Sequence, residues 1–160
     1  MSKEIRNMIN KVKNLNQKIN ENFNNIKYVK NVDEDRITII AYINGNKVGS
    51  VTSDLLFDAY NYEFDDVFDE DTFDELYPDD TIVKIENLEV DDEYKNRGIG
   101  TQLMSHMMAL MKKSYNQFYL NASPMGFRGL NVSNLVNFYE KFGFKELLNQ
   151  GGNVLMGVIF

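Results

Sequence analysis

Apolar positions recur along the chain with two different periods, and each change of period marks an element. Ile5, Met8, Val12, Leu15, Ile19 and Ile26 stand at alternating three- and four-residue steps, with Asn22 interrupting the row and polar residues between. That spacing predicts an amphipathic helix over about 3–26 with a narrow apolar stripe. One reading lays the helix on the domain's own sheet. The other makes it a homodimer contact, because the stepping holds for about three heptads. Residues 36–43 (RITIIAYI) and 47–53 (KVGSVTS) are β-rich, and Asn44-Gly45-Asn46 between them is a hairpin signal. Residues 26–32 read as a weaker strand before them. Residues 81–90 read as a strand: Ile85, Asn87 and Glu89 alternate to one side, and Glu86, Leu88 and Val90 to the other. Helical spacing resumes at Thr101 with Leu103, Met104, Met107, Met108, Leu110 and Met111, and runs to about residue 114.

The C-terminal third continues in the same way. Residues 117–122 read as a strand, and 123–130, with Pro124, Gly126 and Gly129, as a loop. A second helix is predicted from Val132 to Phe142, capped by Asn131 and stopped by Gly143. Closing strands follow at 144–148 and 153–160. The order of elements predicts an α+β fold: a mixed, mostly antiparallel central sheet flanked by helices, with a parallel, right-handed β-α-β unit over 81–122. Neither a repeat nor a linker interrupts the chain, so 1–160 reads as a single domain, long enough to bury a core.

Residues 54–80 break the pattern. Ten acidic residues and no basic one lie between Glu63 and Asp80, yet Phe57, Tyr60, Phe64, Phe68, Phe73 and Tyr77 are interleaved with them. An acidic disordered stretch is poor in aromatics, so this insertion is expected to pack at least in part. Thr72-Phe73-Asp74-Glu75 fits a capping box that opens a short helix. The acids form either a solvated face or a rim that attracts a cationic partner.

Composition narrows the chemistry. The formal charge of −7 argues against nucleic-acid binding through phosphates and suits a cationic acceptor. With no cysteine there is no thiolate nucleophile and no thiolate metal site, and no metal is expected. No apolar run has the length of a signal peptide or a membrane span, so a cytoplasmic protein with no membrane partner is expected. His106, the one histidine, lies within the 101–114 helix and reads as structural.

The candidate chemistry begins where the strand over 81–90 passes through a glycine loop into a helix. That order aims unpaired backbone N–H groups and the positive end of a helix dipole at an anion. The mononucleotide loop Gly-x-x-x-x-Gly-Lys-Ser/Thr is absent, and Leu103 stands where a dinucleotide loop needs its third glycine. What remains is Lys95-Asn96-Arg97-Gly98-Ile99-Gly100, preceded by Ile85, Glu86, Leu88, Val90 and Tyr94. This run resembles the Arg/Gln-x-x-Gly-x-Gly/Ala pyrophosphate loop of the GNAT-type N-acetyltransferases, with Lys95 in place of the usual Arg or Gln. About 40 residues on, Leu135-Val136-Asn137-Phe138-Tyr139-Glu140-Lys141-Phe142-Gly143-Phe144 resembles the same family's closing Leu-Tyr-x-Lys-x-Gly-Phe pattern.

The resemblance implies a GNAT-like fold and an acetyl-CoA-dependent N-acetyltransferase. Acetyl-CoA would be the cosubstrate, and a primary amine would attack it directly in a ternary complex. By the same resemblance, the Leu88 amide meets the acetyl carbonyl and Val90 pairs with the pantetheine arm. The amides of Arg97, Gly98, Ile99 and Gly100, with Thr101, hold the pyrophosphate, and Lys95 and Arg97 add charge. Tyr139 faces the leaving thiolate, and Glu86 takes the amine's proton through water. Val132 stands where the family often has Asn, which leaves a cofactor contact to Asn131. The acceptor is a cationic small molecule or a protein amine: a protein lysine or N-terminus, a polyamine or an aminoglycoside-like amine. A competing reading makes the chain an acidic interaction protein, or polyanion mimic, on a catalytically weak acetyltransferase scaffold.

Overall fold

The computed structural model describes residues 2–23, 25–57, 60, 64–124 and 131–160, with the backbone alone over 16–23. The predicted 123–130 loop therefore falls largely outside the described residues. Seven strands form one sheet: β1 (Lys27–Asp33), β2 (Arg36–Ile43), β3 (Asn46–Leu56), β4 (Ile82–Val90), β5 (Gln117–Ala122), β6 (Lys145–Asn149) and β7 (Val154–Ile159). Their spatial order is β1-β2-β3-β4-β5-β7-β6. Every neighbouring pair is antiparallel except β4 with β5. The described helices are α1 (Lys3–Phe23), α2 (Glu70–Leu76), α3 (Ile99–Met111) and α4 (Val132–Glu140). This is the expected α+β arrangement with its parallel crossover. The β2–β3 turn has Asn44 at φ 51° and Gly45 at φ 80°, two left-handed residues in succession as a two-residue hairpin requires. No helix among the described residues is long and apolar enough to cross a membrane.

The sheet has a different core on each face. On one face α3 presses Leu103, Met104, Met107 and Met108 onto Ile39, Ala41, Val51, Val83 and Ile85. Gly49 allows this approach, because a Cβ there would stand 2.8 Å from the Glu89 carbonyl oxygen and 3.2 Å from Leu103 Cδ1. On the other face the acidic insertion folds back over Ile82, Tyr119 and Leu155. Phe64 is its anchor: fully buried, with ring centroids of Tyr119, Phe73 and Tyr77 at 5.0, 5.1 and 5.4 Å. The acids between the aromatics, such as Asp65, Asp66, Glu70 and Asp74, stay in water. The predicted helix is present but begins three residues earlier. Asp69 is the N-cap and accepts from the Thr72 amide at 2.9 Å, so Thr72 is the capped residue and not the cap.

The N-terminal helix corrects the first expectation. Residues 3–15 of α1 do not lie on the sheet: they are exposed throughout, and α1 makes no substantial contact with another described element. Its stripe faces solvent, with Met8 67% and Leu15 59% exposed.

Replacing Phe64 by Ala should lower the unfolding free energy by about 3–5 kcal/mol, the usual cost of emptying a buried aromatic site. Leu76→Ala, on the exposed side of α2, should cost less than about 1 kcal/mol. Urea denaturation of the two variants checks the difference.

Candidate active site

β4 and β5 pair in parallel at only two positions, Val83 with Phe118 and Lys84 with Tyr119. Beyond them β4 runs on to Val90 and β5 to Ala122 without a further β4–β5 pair. A cleft of about 1540 Å³ opens along this divergence, larger than the roughly 300–1,000 Å³ of an ordinary small-molecule pocket. Its walls are β4 from Asn87 to Val90, Ser50 and Thr52 of β3, the first turn of α3, Asn121 and Ser123 at the end of β5, and the Leu135–Tyr139 side of α4.

β4 is bulged where it borders the cleft. Thr52 stands opposite Glu86 but Ser50 stands opposite Glu89, so β4 carries one extra residue there. Asn87, at φ 49°, takes up the kink. The expected alternation is therefore overturned: an extra residue reverses every later side chain. Leu88 and Val90 pack against the α3 core together with Ile85, while Glu86 sits on the opposite, polar face. That face carries cross-strand polar pairs. Arg36 forks onto Asp54 at 2.6 and 3.0 Å, Thr38 meets Thr52 at 3.2 Å, and Lys84 Nζ lies 2.9 Å from Glu86 Oε1. Glu89 accepts from Lys47 at 2.8 Å and from Ser50 at 3.0 Å. The Arg36 guanidinium, by its hydrogen bonds and its charge, holds the Asp54 carboxyl below the usual carboxylate range. Lys47, then Ser50, does the same for Glu89.

At the other end of the cleft α3 starts on bare backbone. Gly98, at φ 82°, is its N-cap and supplies no side-chain cap. The first intrahelical bond is donated by Gln102 to the Gly98 carbonyl at 3.0 Å, so the N–H groups of Ile99, Gly100 and Thr101 precede the helical ladder. A Cβ at Gly98 would meet nothing within 4 Å; one at Gly100 would touch only Val90 and Phe138. These donors and the helix dipole favour an anion such as a diphosphate. Lys95 lines the same region and pairs with Asp92.

Tyr139 closes the third side from α4, whose N-cap Asn131 accepts from the Asn134 amide at 2.8 Å. The Phe138 and Phe144 rings flank it at 5.1 and 6.4 Å. Burial pushes its phenol up to about 12. A sequence model described as "Acetyltransferase (GNAT) domain" matches residues 34–146, well over half of the chain, and spans all three walls. The chain belongs to the GNAT acetyltransferase family.

Solved structures agree at the level of the fold. PH1933 from Pyrococcus horikoshii OT3 superposes with a TM-score of 0.56 at 21% identity, over 77% of this chain and 64% of that one. The chain thus spans less than two thirds of PH1933. Arabidopsis thaliana Naa50, solved with the bisubstrate analogue CoA-Ac-MVNAL, gives 0.51 at 21% identity, over 77% of this chain and 72% of its own. The PaiA N-acetyltransferase of Thermoplasma acidophilum, in complex with coenzyme A, gives 0.52 at 18%, over 79% and 62%. No curated protein matches in sequence.

Of the residues singled out in this GNAT sequence, the fold brings Leu88, Val90, Lys95, Gly98, Ile99, Gly100, Thr101 and Tyr139 to one cleft. Glu86, Arg97 and Asn131 are not on its wall. Glu86 is the cross-strand neighbour of Thr52 and pairs with Lys84, Arg97 stacks 5.7 Å from the Tyr94 ring centroid, and Asn131 is engaged in capping α4. His106 packs on Tyr28 of β1, centroids 4.4 Å apart, away from the cleft. Glu89, Lys47 and Ser50 line the cleft but were not anticipated. The available signal was the apolar spacing Val83, Ile85, Leu88, Val90, whose single three-residue step marks the bulge.

A phenol whose folded pKa lies above its unfolded value of 10.0 stabilises the fold fully below pH 10 and loses that contribution as pH rises toward 12. Wild type should therefore lose about 2–3 kcal/mol more than Tyr139→Phe between pH 9 and 12. Denaturation midpoints of the two proteins across that range test it.

Proposed function

We propose that this chain is an acetyl-CoA-dependent N-acetyltransferase that acts on a primary, cationic amine in the cytoplasm. The observation that carries the reading is the convergence, on the diverging β4–β5 edge, of a bare helix start, an unpaired strand edge and a buried tyrosine. The donors at the start of α3 fit a diphosphate, and two structures of the same fold hold coenzyme A or an analogue built on it. Acetyl-CoA, when bound, supplies an activated acetyl thioester.

The chain's own residues then have separable tasks. The amides of Ile99, Gly100 and Thr101 bind the diphosphate, with positive charge added by Lys95 and Arg97. Val90 offers backbone to the pantetheine arm as an added strand would. The Leu88 N–H aims at the carbonyl oxygen where charge develops during attack. Tyr139 donates a hydrogen bond to the departing sulfur and keeps its proton. Transfer from a phenol near 12 to a thiolate near 8.5 would be uphill by about 5 kcal/mol, so the proton that ends on sulfur comes from the product ammonium. Glu86 works from the opposite sheet face. An alkylammonium near pKa 10.4 must lose a proton before attack. Glu86, beside Asp54, binds that cation and orients a water to receive its proton. With no cysteine in the chain, the amine attacks directly in a ternary complex. The exposed acids of the insertion add a negative field for the cationic acceptor.

Acetyl-CoA at a hundredfold excess over its Kd should stabilise the protein by about 2.7 kcal/mol and raise its melting temperature by several degrees. A flat melting curve at millimolar ligand would refute the cofactor assignment. Tyr139→Phe should keep that shift while kcat falls about 10- to 100-fold, the worth of one hydrogen bond to a developing charge. Glu86→Gln should lower kcat by about a hundredfold and move the pH–rate profile upward. Full turnover in either variant removes that residue from the mechanism. Labelled acetyl transfer into a lysate, fractionated into small molecules and proteins, identifies the acceptor class.

A further inference from the structure

The apolar stripe of α1 is the largest feature the acetyl-transfer reading leaves unused. Ile5, Met8, Ile9, Val12 and Leu15 are 50, 67, 39, 55 and 59% exposed, and the domain does not cover them. The helix that carries them is weak on its own terms. Six of its 21 residues are asparagine, a poor helix former, and among the described residues no substantial tertiary packing supports it. An isolated helix of that length and composition is marginal in water. Something must cover the stripe for α1 to be helical.

We propose that the cover is α1 of a second copy, in a parallel two-stranded coiled coil. The heptad register is unambiguous. Ile5, Val12 and Ile19 occupy one core position, and Met8 and Leu15 the other. β-branched residues at the first with leucine-like residues at the second favour two parallel strands. Charge points the same way. In the parallel pairing Glu4 flanks the partner's Ile9, and Lys11 flanks the partner's Asn16, so no like charges meet. An antiparallel pair overlapping along the whole stripe would set Lys11 against the partner's Lys18. A membrane surface is the poorer occupant. The stripe is the two-position seam of a coiled coil flanked by Ile9 alone, and it lacks the Trp and broad apolar face of interfacial helices.

The assembly leaves the chemistry intact. α1 leads into β1, the edge strand, and the cleft opens three strands away beyond β4. Each copy keeps its own cleft, so the proposal stands independently of acetyl transfer.

Sedimentation of the full chain at micromolar concentration should give twice the 18.6 kDa chain mass. Val12→Lys combined with Leu15→Lys should halve that mass without lowering the domain's melting temperature, since both side chains are exposed on the domain itself. Asn10→Lys, on the far side of the helix, should leave the dimer whole. The chain has no cysteine, so Met8→Cys offers a clean test of orientation: without reductant it should run as a covalent dimer, and Asn10→Cys should not. A monomeric wild type, a double variant that remains dimeric, or Met8→Cys that fails to cross-link would overturn the proposal. So would a monomer that pellets with phosphatidylserine vesicles through α1, which would assign the stripe to a membrane.

Discussion

The parting of β4 from β5 is the constraint on which the site depends. A sheet interior satisfies its own backbone groups, so it offers a ligand nothing. Two strands that pair at Val83–Phe118 and Lys84–Tyr119 and then separate leave a length of strand edge open inside the protein. The separation is held from both sides. Gly49 and the bulge at Asn87 let α3 draw the end of β4 toward itself, and β7 pairs with β5 along the whole of its length. The open edge therefore needs no induced rearrangement to form.

The bulge also divides the labour between the two sheet faces. Leu88 and Val90 turn toward the α3 core, while Glu86 turns toward the Asp54 and Lys84 side. A regular strand would have placed all three on one face. With the bulge, the apolar side chains of Leu88 and Val90 are spent on the α3 core while the Glu86 carboxylate stays among the polar groups of the other face.

Much of this was legible in the sequence, for identifiable reasons. Strands β2 and β3, the Asn44-Gly45 turn, α3 and α4 follow from periodicity and from residues whose backbone preferences are strong. The glycine loop and the Tyr139 segment carry local signatures of a shared chemistry. What was illegible depended on partners distant in sequence. The β4 register exists only against β3, so Glu86 was assigned to the wrong face and Glu89 was overlooked. Asp69 takes the cap in place of Thr72, whose amide and hydroxyl both bond its carboxylate. α1 showed its stripe plainly, but a stripe does not say what it touches.

The two cores, one under α3 and one under the acidic insertion, share the sheet but not their packing partners. Such separately packed units open as separate cooperative blocks. The insertion, held by Phe64 and its ring of aromatics, can therefore unlatch as one piece while the α3 side stays closed. In an exchange experiment the chain would divide into a slow block around Leu103 and a faster one around Phe73. Ile99, in the first turn of α3, belongs to the slow block, so opening of the acidic cover would leave the bare helix start at Gly98 in place.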